Sequence, residues 1–315
     1  MDISVVIPTH NPHAGRLRRT LAGLRAQSLP ATQWSALVVD NASLPALDPA
    51  ALAPELPTNA HIIREPQLGL ASARRRGFAE ARGDIIVLVD DDNVLAPDYL
   101  AQVATLFAAH PRLGGLGGRS VPEFEQAPPA WVREFDDLLA CRDLGATPLI
   151  SSGLRHPATG RNTYPAFAPI GAGLALRRAT AQAWLEHPPA RHLTDRRGDE
   201  LTSGGDNDIV FRAMQSGWEV GYFPALSLTH LIPAGRTSRD YLARLNRGIQ
   251  KSWMQVLALH DANPFPPLSA GSAALRQLKA WFSYRAWSSP AAYVRWQGAC
   301  GHFEGRASQP RPSPT

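Results

Sequence analysis

The sequence predicts an α/β fold: an open, mostly parallel sheet flanked by helices, followed by a C-terminal helical extension. Three observations carry this reading. Short β-branched runs without alternation, such as "ISVVIP" (Ile3 to Pro8), read as strands buried on both faces. Segments with helical spacing separate them, as with Leu17, Leu21 and Leu24. Acidic and hydroxyl residues (Thr9, Asp40, Asp90 to Asn93) follow the runs directly, where ligands sit in sheets of this type.

In chain order, "SALVVD" (Ser35 to Asp40), "HIIRE" (His61 to Glu65) and "DIIVLVD" (Asp84 to Asp90) are the next expected strands. A helix is expected over Leu70 to Glu80, and Tyr99, Val103 and Leu106 mark another after Pro97. From Leu113 the pattern changes to Gly-rich short strands and loops, with a hairpin around "HPATGRN" (His156 to Asn162). A helix follows over Ala179 to Glu186, then "SGGDNDIVFRAMQSGW" (Ser203 to Trp218) with a helical second half, then a strand in "EVGYFPALSLTH" (Glu219 to His230). Beyond Pro233, Leu242, Leu245, Ile249 and Val256 repeat at helical spacing, and Leu275, Leu278 and Phe282 start a further helix.

At 315 residues, 44% of them hydrophobic, the chain is long enough for a sizeable core and too apolar for a disordered one. Cys141 and Cys300 cannot build a disulfide scaffold and lie in no CxxC spacing, so a reducing compartment is expected. The opening "MDISVVIPTHNP" lacks the charged and apolar regions of a signal peptide. No apolar run approaches the roughly 20 residues of a membrane helix. These features predict a cytoplasmic protein, soluble or peripheral on the cytoplasmic face of the inner membrane. The net charge of +5 is uneven: Arg236 to Thr315 hold 11 of the 32 Lys and Arg residues but only Asp240, Asp261 and Glu304 among the acidic ones. A basic amphipathic extension over 236–307, with Trp253, Trp281, Trp287 and Trp296, suits an anionic membrane surface. The end "SQPRPSPT" (308–315) reads as disordered.

The chemistry concentrates in "LVDDDN" (Leu88 to Asn93). Adjacent carboxylates about 5 Å apart repel by roughly 1 kcal/mol per pair in water, so the cluster calls for a counter-charge. Alternation at a strand end would turn Asp90 and Asp92 to one face and Asp91 to the other. Two carboxylates and an amide oxygen make a hard-oxygen site for Mg²⁺ or Mn²⁺, and the spacing is not that of an EF-hand. No GxxxxGK[ST] pattern is present, which argues against a P-loop ATPase. "GGLGGRS" (Gly114 to Ser120) does not follow the first strand, as a dinucleotide site would require.

In order and spacing, "VVIPTHN", "VVDNAS", "GLASARRRG", "LVDDDN" and "GGDNDIVFRA" resemble the GT-A fold glycosyltransferases of family 2, over roughly Asp2 to Pro233. The resemblance implies a catalytic domain over 1–235 that uses a nucleotide-diphosphate sugar, with a donor half to about 118 and an acceptor half over about 119–235. It implies that Pro8, Thr9 and Asp40 hold the base, with uracil or thymine favoured by Asp40 and a UDP-sugar as the leading donor. Arg74 would contact the donor phosphates, with Gly77 allowing close backbone approach. Asp92 would bind the metal, Mn²⁺ or Mg²⁺. Asp90 would contact the ribose or assist the metal, Asp91 holds the middle position of the same motif in the donor site, and His230 would add a metal ligand. Gly171, Ala172 and Gly173 would form the floor under the sugar. Asp206 would be the general base, with Asp208 as the fallback.

Two positions depart from the family: Arg75 stands where an Asn is usual, and Gly205 replaces the Glu of a Glu-Asp motif. The same residues have structural readings as well. Asp40 can form an Asx turn with Asn41 and Ser43, Asp206 or Asp208 can cap a helix, and Arg75 and Arg76 can be a solvated helix face. The C-terminal helices can pack on the core.

The reaction implied is a single in-line displacement with inversion, moving one sugar to a hydroxyl of a glycan or lipid-linked acceptor in bacterial surface polysaccharide synthesis. Arg295 and Trp296 match the end of a Gln-x-x-Arg-Trp motif, but position 292 is Ala, which favours single transfer over processive synthesis. A sugar-1-phosphate nucleotidyltransferase would need a Gly-rich basic loop after the first strand, and "PTHNPHAGRL" offers only Gly15. The alternative is a non-catalytic nucleotide-sugar- or glycan-binding protein on the same scaffold, because of Gly205. No nucleic-acid partner is expected.

Overall fold

The computed structural model describes residues 1–151, 153–156, 159–187, 195–196 and 201–309. β1 (Ile3–Thr9) is buried at every position, as its unalternating sequence requires. β2 (Trp34–Asn41) and β4 (Ile85–Leu88) flank it in parallel, and β3 (Ala60–Glu65) extends the sheet beside β2. The other strands are β5 (Asn93–Leu95), β6 (Leu113–Phe124), β7 (Leu149–Ser151), β8 (Ala175–Arg177) and β9 (Glu219–Ile232). Among the described residues the sheet runs β3-β2-β1-β4-β8-β6-β9-β5, with β7 on β9. The first half is parallel. In the second, β8 runs antiparallel to β4 and β6, while β6 and β9 are parallel. The short Gly-rich strands expected after Leu113 are one 12-residue strand, β6, whose register shifts at Leu113/Gly115 and Gly117/Arg119.

The helices are α1 (Ala14–Arg25), α2 (Pro49–Leu52), α3 (Leu70–Glu80), α4 (Tyr99–Ala109), α5 (Arg178–Glu186), α6 (Gly205–Gln215), α7 (Arg239–Leu259), α8 (Ala270–Ser283) and α9 (Pro290–Ala307). α3 has the limits that its spacing predicts, and it buries Ala73, Arg74, Gly77 and Phe78. Gly77 corrects an expectation. It serves helix–sheet contact rather than a ligand, since a Cβ there would lie 2.3 Å from Val6 Cγ1.

The extension divides. α7 and α9 pack through Leu242, Leu245 and Val294 against Ile232 of β9 and against Val132 and Phe135 of a kinked 3₁₀ segment, Ala130–Leu139. Trp253 joins Tyr164 and Phe211. α8 buries only Ala273 and Ala280, and its apolar stripe of Leu275, Leu278 and Phe282 is 69%, 58% and 61% exposed. Among the described residues no helix is long and apolar enough to cross a membrane.

Ser308 and Gln309, expected in the disordered end, are held instead. Gln309 Nε2 donates to the Met254 carbonyl at 3.1 Å and Ser308 N to that of Glu304 at 3.0 Å. The remainder of that expectation, 310–315, lies outside the described residues. The expected hairpin closes through an Arg155–Asn162 bridge, with Pro157 and Ala158 also outside them.

Candidate active site

The parallel register aligns the carboxyl ends of three strands: Thr9 opposes Asp40, and Asp40 opposes Arg64. Pro8 and Thr9 are buried at the end of β1. The Asp40 carboxylate accepts from Ser43 N at 3.2 Å, Leu47 N at 3.1 Å and Arg64 Nη1 at 2.7 Å. It therefore forms the expected turn and an ion pair as well. A carboxylate has about four acceptor positions, so one stays open.

β4 ends at Leu88, so Asp90 to Asp92 lie in a turn and not on a pleat; Asn93 N donates to the Asp90 carbonyl at 3.0 Å to close it. The expected facing of Asp91 away from Asp92 is not what the turn gives, since the two carboxylates remain within electrostatic reach of each other. Asp91 accepts from the Thr9 hydroxyl, and burial followed by the charge of Asp92 pushes its carboxyl up to about 7. The pairing of β5 with β9 sets Asn93 opposite His230, and Leu231 N donates to the Asp92 carbonyl at 2.9 Å. Asp92 thereby meets His230, with 3.4 Å from Nε2 to Oδ1, and Arg236, with 3.0 Å from Nη1 to Oδ2. Burial opposes its charge, but His230, Arg236 and Arg196 outweigh burial and hold the carboxyl well below the usual range.

Asp92 and His230 carry atoms of the kinds that ligate a divalent cation. Asp92 Oδ1 and His230 Nε2 face each other at 3.4 Å, Arg236 Nη1 lies 3.4 Å from the same nitrogen, and His230 Nδ1 is buried without a partner. Among the described residues no group of three or more His, Cys, Asp or Glu could hold a metal alone, so remaining ligands would come from water and substrate phosphate, as is common for Mg²⁺. Asp92 and His230 would hold the ion, with Asp90 adjoining.

Arg74 links this cluster to α6. Its side chain is 5% exposed and pairs with Asp195 at 2.9 Å. Burial works against its charge, yet Asp195, Asp206 and Asp90, in that order, hold its pKa above the ordinary value. Asp206 lies in the first turn of α6, where the helix dipole favours a carboxylate. Its Oδ2 accepts from Gly171 N at 2.8 Å and its Oδ1 from Asn207 N at 3.0 Å. It caps no helix; Gly204 holds the N-cap position. Gly171, Ala172 and Gly173 precede β8. Gly173 has φ +75°, and a Cβ there would lie 2.5 Å from the Tyr99 hydroxyl, which donates to the Gly173 carbonyl at 2.5 Å. Only glycine fits that position without strain.

Asp208, the fallback base, is occupied by the scaffold. It accepts from Trp184 Nε1 at 2.7 Å and from His260 Nε2 at 2.7 Å, and Arg212 adjoins it at 3.5 Å. His260 is fully buried and stacks on Phe211 with ring centres 4.5 Å apart. Burial opposes the Asp208 charge, but the hydrogen bonds from His260 and Trp184, with the charges of His260 and Arg212, hold the carboxyl below 3.8. A lowered folded-state pKa adds stability above the unfolded value and loses it as pH falls through the folded one. Asp208→Asn should therefore cost about 1.5–3 kcal/mol at neutral pH. In thermal melts against pH, the gap between wild type and variant should close as pH falls below 3.8.

Arg75 does not face solvent as a free charge. It donates to the carbonyls of Leu185 at 2.6 Å and His187 at 3.1 Å, while Arg76 pairs with Glu80 along the helix. Arg64, Asp195, Arg196, Arg236, Tyr99 and His260 complete the surroundings, and no motif marks them. A surface groove of about 430 Å³, lined by Arg19, Gly23, Val94 and Thr229 among others, contains none of the candidate residues.

The family model described as "Glycosyl transferase family 2" matches residues 4–179. Glucosyl-dolichyl phosphate glucuronosyltransferase of Haloferax volcanii is 25% identical over 204 residues, covering 62% of this chain and 60% of that protein. O-antigen biosynthesis protein RfbC of Myxococcus xanthus is 32% identical over 41% of this chain and 11% of its own length. Succinoglycan biosynthesis protein ExoW of Rhizobium meliloti is 37% identical over 31% of each. The chain thus spans less than two thirds of each of these relatives. In structure, S. aureus TarS 1-349 in complex with UDP-GlcNAc is similar with a TM-score of 0.50 and 14% identity, over 98% of this chain and 91% of that one. At that identity the likeness speaks for the GT-A fold alone.

Proposed function

The chain belongs to glycosyl transferase family 2, and on that premise we propose that it moves one sugar from a UDP-sugar to a hydroxyl of a glycan or lipid-linked acceptor, with inversion. Its relatives work in polysaccharide and glycolipid assembly. One observation carries the mechanism: the buried Arg74 guanidinium and Asp206 meet at Gly171, where a Cβ would lie 2.8 Å from Arg74 Nη2 and 3.4 Å from Asp206 Oδ2, and the guanidinium also lies within electrostatic reach of Asp90. Donor phosphates beside Arg74 therefore have the cation ligands and a candidate base within one charged cluster.

In this reading Asp40 receives the base and the free N–H groups of Arg74 bind the diphosphate. Asp92 and His230 would hold a divalent cation, which when bound would supply charge neutralisation for the departing UDP. Asp206, oriented by Gly171 N and Asn207 N, keeps acceptor positions free and takes the proton of the attacking hydroxyl. Asp208 has its oxygens engaged by Trp184 and His260, which favours Asp206 as the base. Residues 1–235 form the catalytic unit and 236–307 its extension. Incubation with Mn²⁺ and a panel of nucleotide sugars tests the reading. An enzyme hydrolyses its donor slowly without acceptor, whereas binding with no turnover would favour a nucleotide-sugar-binding protein.

The outer face of α8 supports an anionic membrane as the surface on which this protein meets its acceptor. Leu275, Leu278, Phe282 and Trp287 are exposed, and no Asp or Glu occurs between Ala262 and Phe303, while Arg276, Lys279 and Arg285 do. Burying each large apolar side chain contributes roughly 1.5–3 kcal/mol. Changing Leu275, Leu278 and Phe282 together to Ser should abolish co-sedimentation with phosphatidylglycerol vesicles and leave donor hydrolysis unaltered. Undiminished sedimentation would refute the membrane contact.

A further inference from the structure

Asp195 is a buried carboxylate that the transfer step does not use. Its side chain is 4% exposed and is held from several sides. Thr202 Oγ1 donates to its carbonyl at 2.6 Å, Arg196 N donates to its Oδ1 at 3.1 Å, and Arg74 Nη1 donates to its Oδ2 at 2.9 Å. The next carbonyl, that of Arg196, accepts from Leu70 N at 3.0 Å, so this dipeptide is fastened to the first turn of the helix that carries Arg74.

The backbone at position 205 is bare beside this pair. A Cβ on Gly205 would lie 2.5 Å from Asp195 Oδ2 and 3.2 Å from Arg74 Nη1. On the other side, a Cβ on Gly171 would lie 2.8 Å from Arg74 Nη2 and 3.4 Å from Asp206 Oδ2. The guanidinium is thus wedged between two glycines, with the Asp195 carboxylate filling the space beside Gly205. Burying an ion pair costs several kcal/mol per ion in desolvation, so such pairs are weak stabilisers. What this pair does provide is a fixed direction. Nη1 is committed to Asp195, Nε is buried without a partner, and Nη2 faces Gly171 and Asp206.

We propose that Asp195 is the positioning residue for Arg74. Its carboxylate takes the volume that a side chain at 205 would fill and leaves Nη2, on the Gly171 side, for the donor diphosphate. The role of Arg74 rests on the donor reading above, whereas the exclusion between positions 195 and 205 does not.

The test measures UDP affinity and melting temperature in the full chain. Asp195 has φ +52°, so glycine tolerates the site and Asp195→Gly is the variant of choice. It should weaken UDP binding about tenfold, and that loss should vanish in an Arg74→Ala background, because coupled residues are not additive. Gly205→Glu should lower the melting temperature of the wild type but not of Asp195→Gly, and the Asp195→Gly/Gly205→Glu double variant should recover UDP affinity. Unweakened binding by Asp195→Gly, an additive loss with Arg74→Ala, or equal destabilisation by Gly205→Glu in both backgrounds would overturn the proposal. If Asp195→Gly does not fold, Asp195→Asn, which keeps the shape and removes the charge, carries the affinity measurement. A wild type that binds no UDP refutes the donor reading, and the two melting comparisons then decide the exclusion alone.

Discussion

Asp206→Asn will lower sugar transfer by about 10²- to 10⁴-fold, the usual worth of a general base, and leave UDP affinity unchanged. The separation follows from the geometry. Asp206 meets Gly171 N and Asn207 N, and neither contact belongs to the residues assigned to base or cation. Asn keeps one oxygen for Gly171 N and loses the second acceptor, a local cost of about 1 kcal/mol. Parallel assays of transfer and of UDP affinity read the two effects apart. Normal transfer by the variant would remove Asp206 from the mechanism.

Asp92→Ala is expected to abolish the Mn²⁺-dependent thermal shift produced by UDP. Among the described residues Asp92 is the carboxylate that pairs with both His230 and Arg236, so its loss would remove the proposed cation ligand and strand a guanidinium. Removing one partner of a buried pair costs roughly 3–5 kcal/mol. The Arg236 side chain is 24% exposed, which puts the expected loss at the low end of that range. Asp92→Asn separates the two consequences, since it keeps the shape and a hydrogen-bond acceptor for Arg236 while weakening the cation site. A Mn²⁺-dependent UDP shift that survives in Asp92→Asn would count against the cation assignment.

What the sequence made legible was local. The β-branched run of β1 and the spacing of α3 mark their elements, because burial on two faces and on one stripe leaves a periodic record. The order of strand-end motifs led to Thr9, Asp40 and Asp90 to Asp92, since a parallel sheet gathers its carboxyl ends at one edge. Partners supplied by tertiary packing left no such record. Arg236 reaches Asp92 only because β5 pairs with β9, and Asp195 reaches Arg74 across 121 positions of chain. Strand alternation does not govern Asp90 to Asp92, because β4 stops at Leu88 and a turn follows. α8 marks another limit. Helical spacing finds the stripe of Leu275, Leu278 and Phe282 but does not say whether anything covers it.

In the proposed reaction a group that Asp206 deprotonates displaces UDP directly at the anomeric carbon. Early-time ¹H NMR of the sugar released from the accepted α-linked UDP-sugar in the presence of Mn²⁺ tests it most directly. The first sugar formed should be the β-anomer, with the α-form appearing only through mutarotation. First appearance of the α-anomer would mean retention, and it would contradict a single displacement.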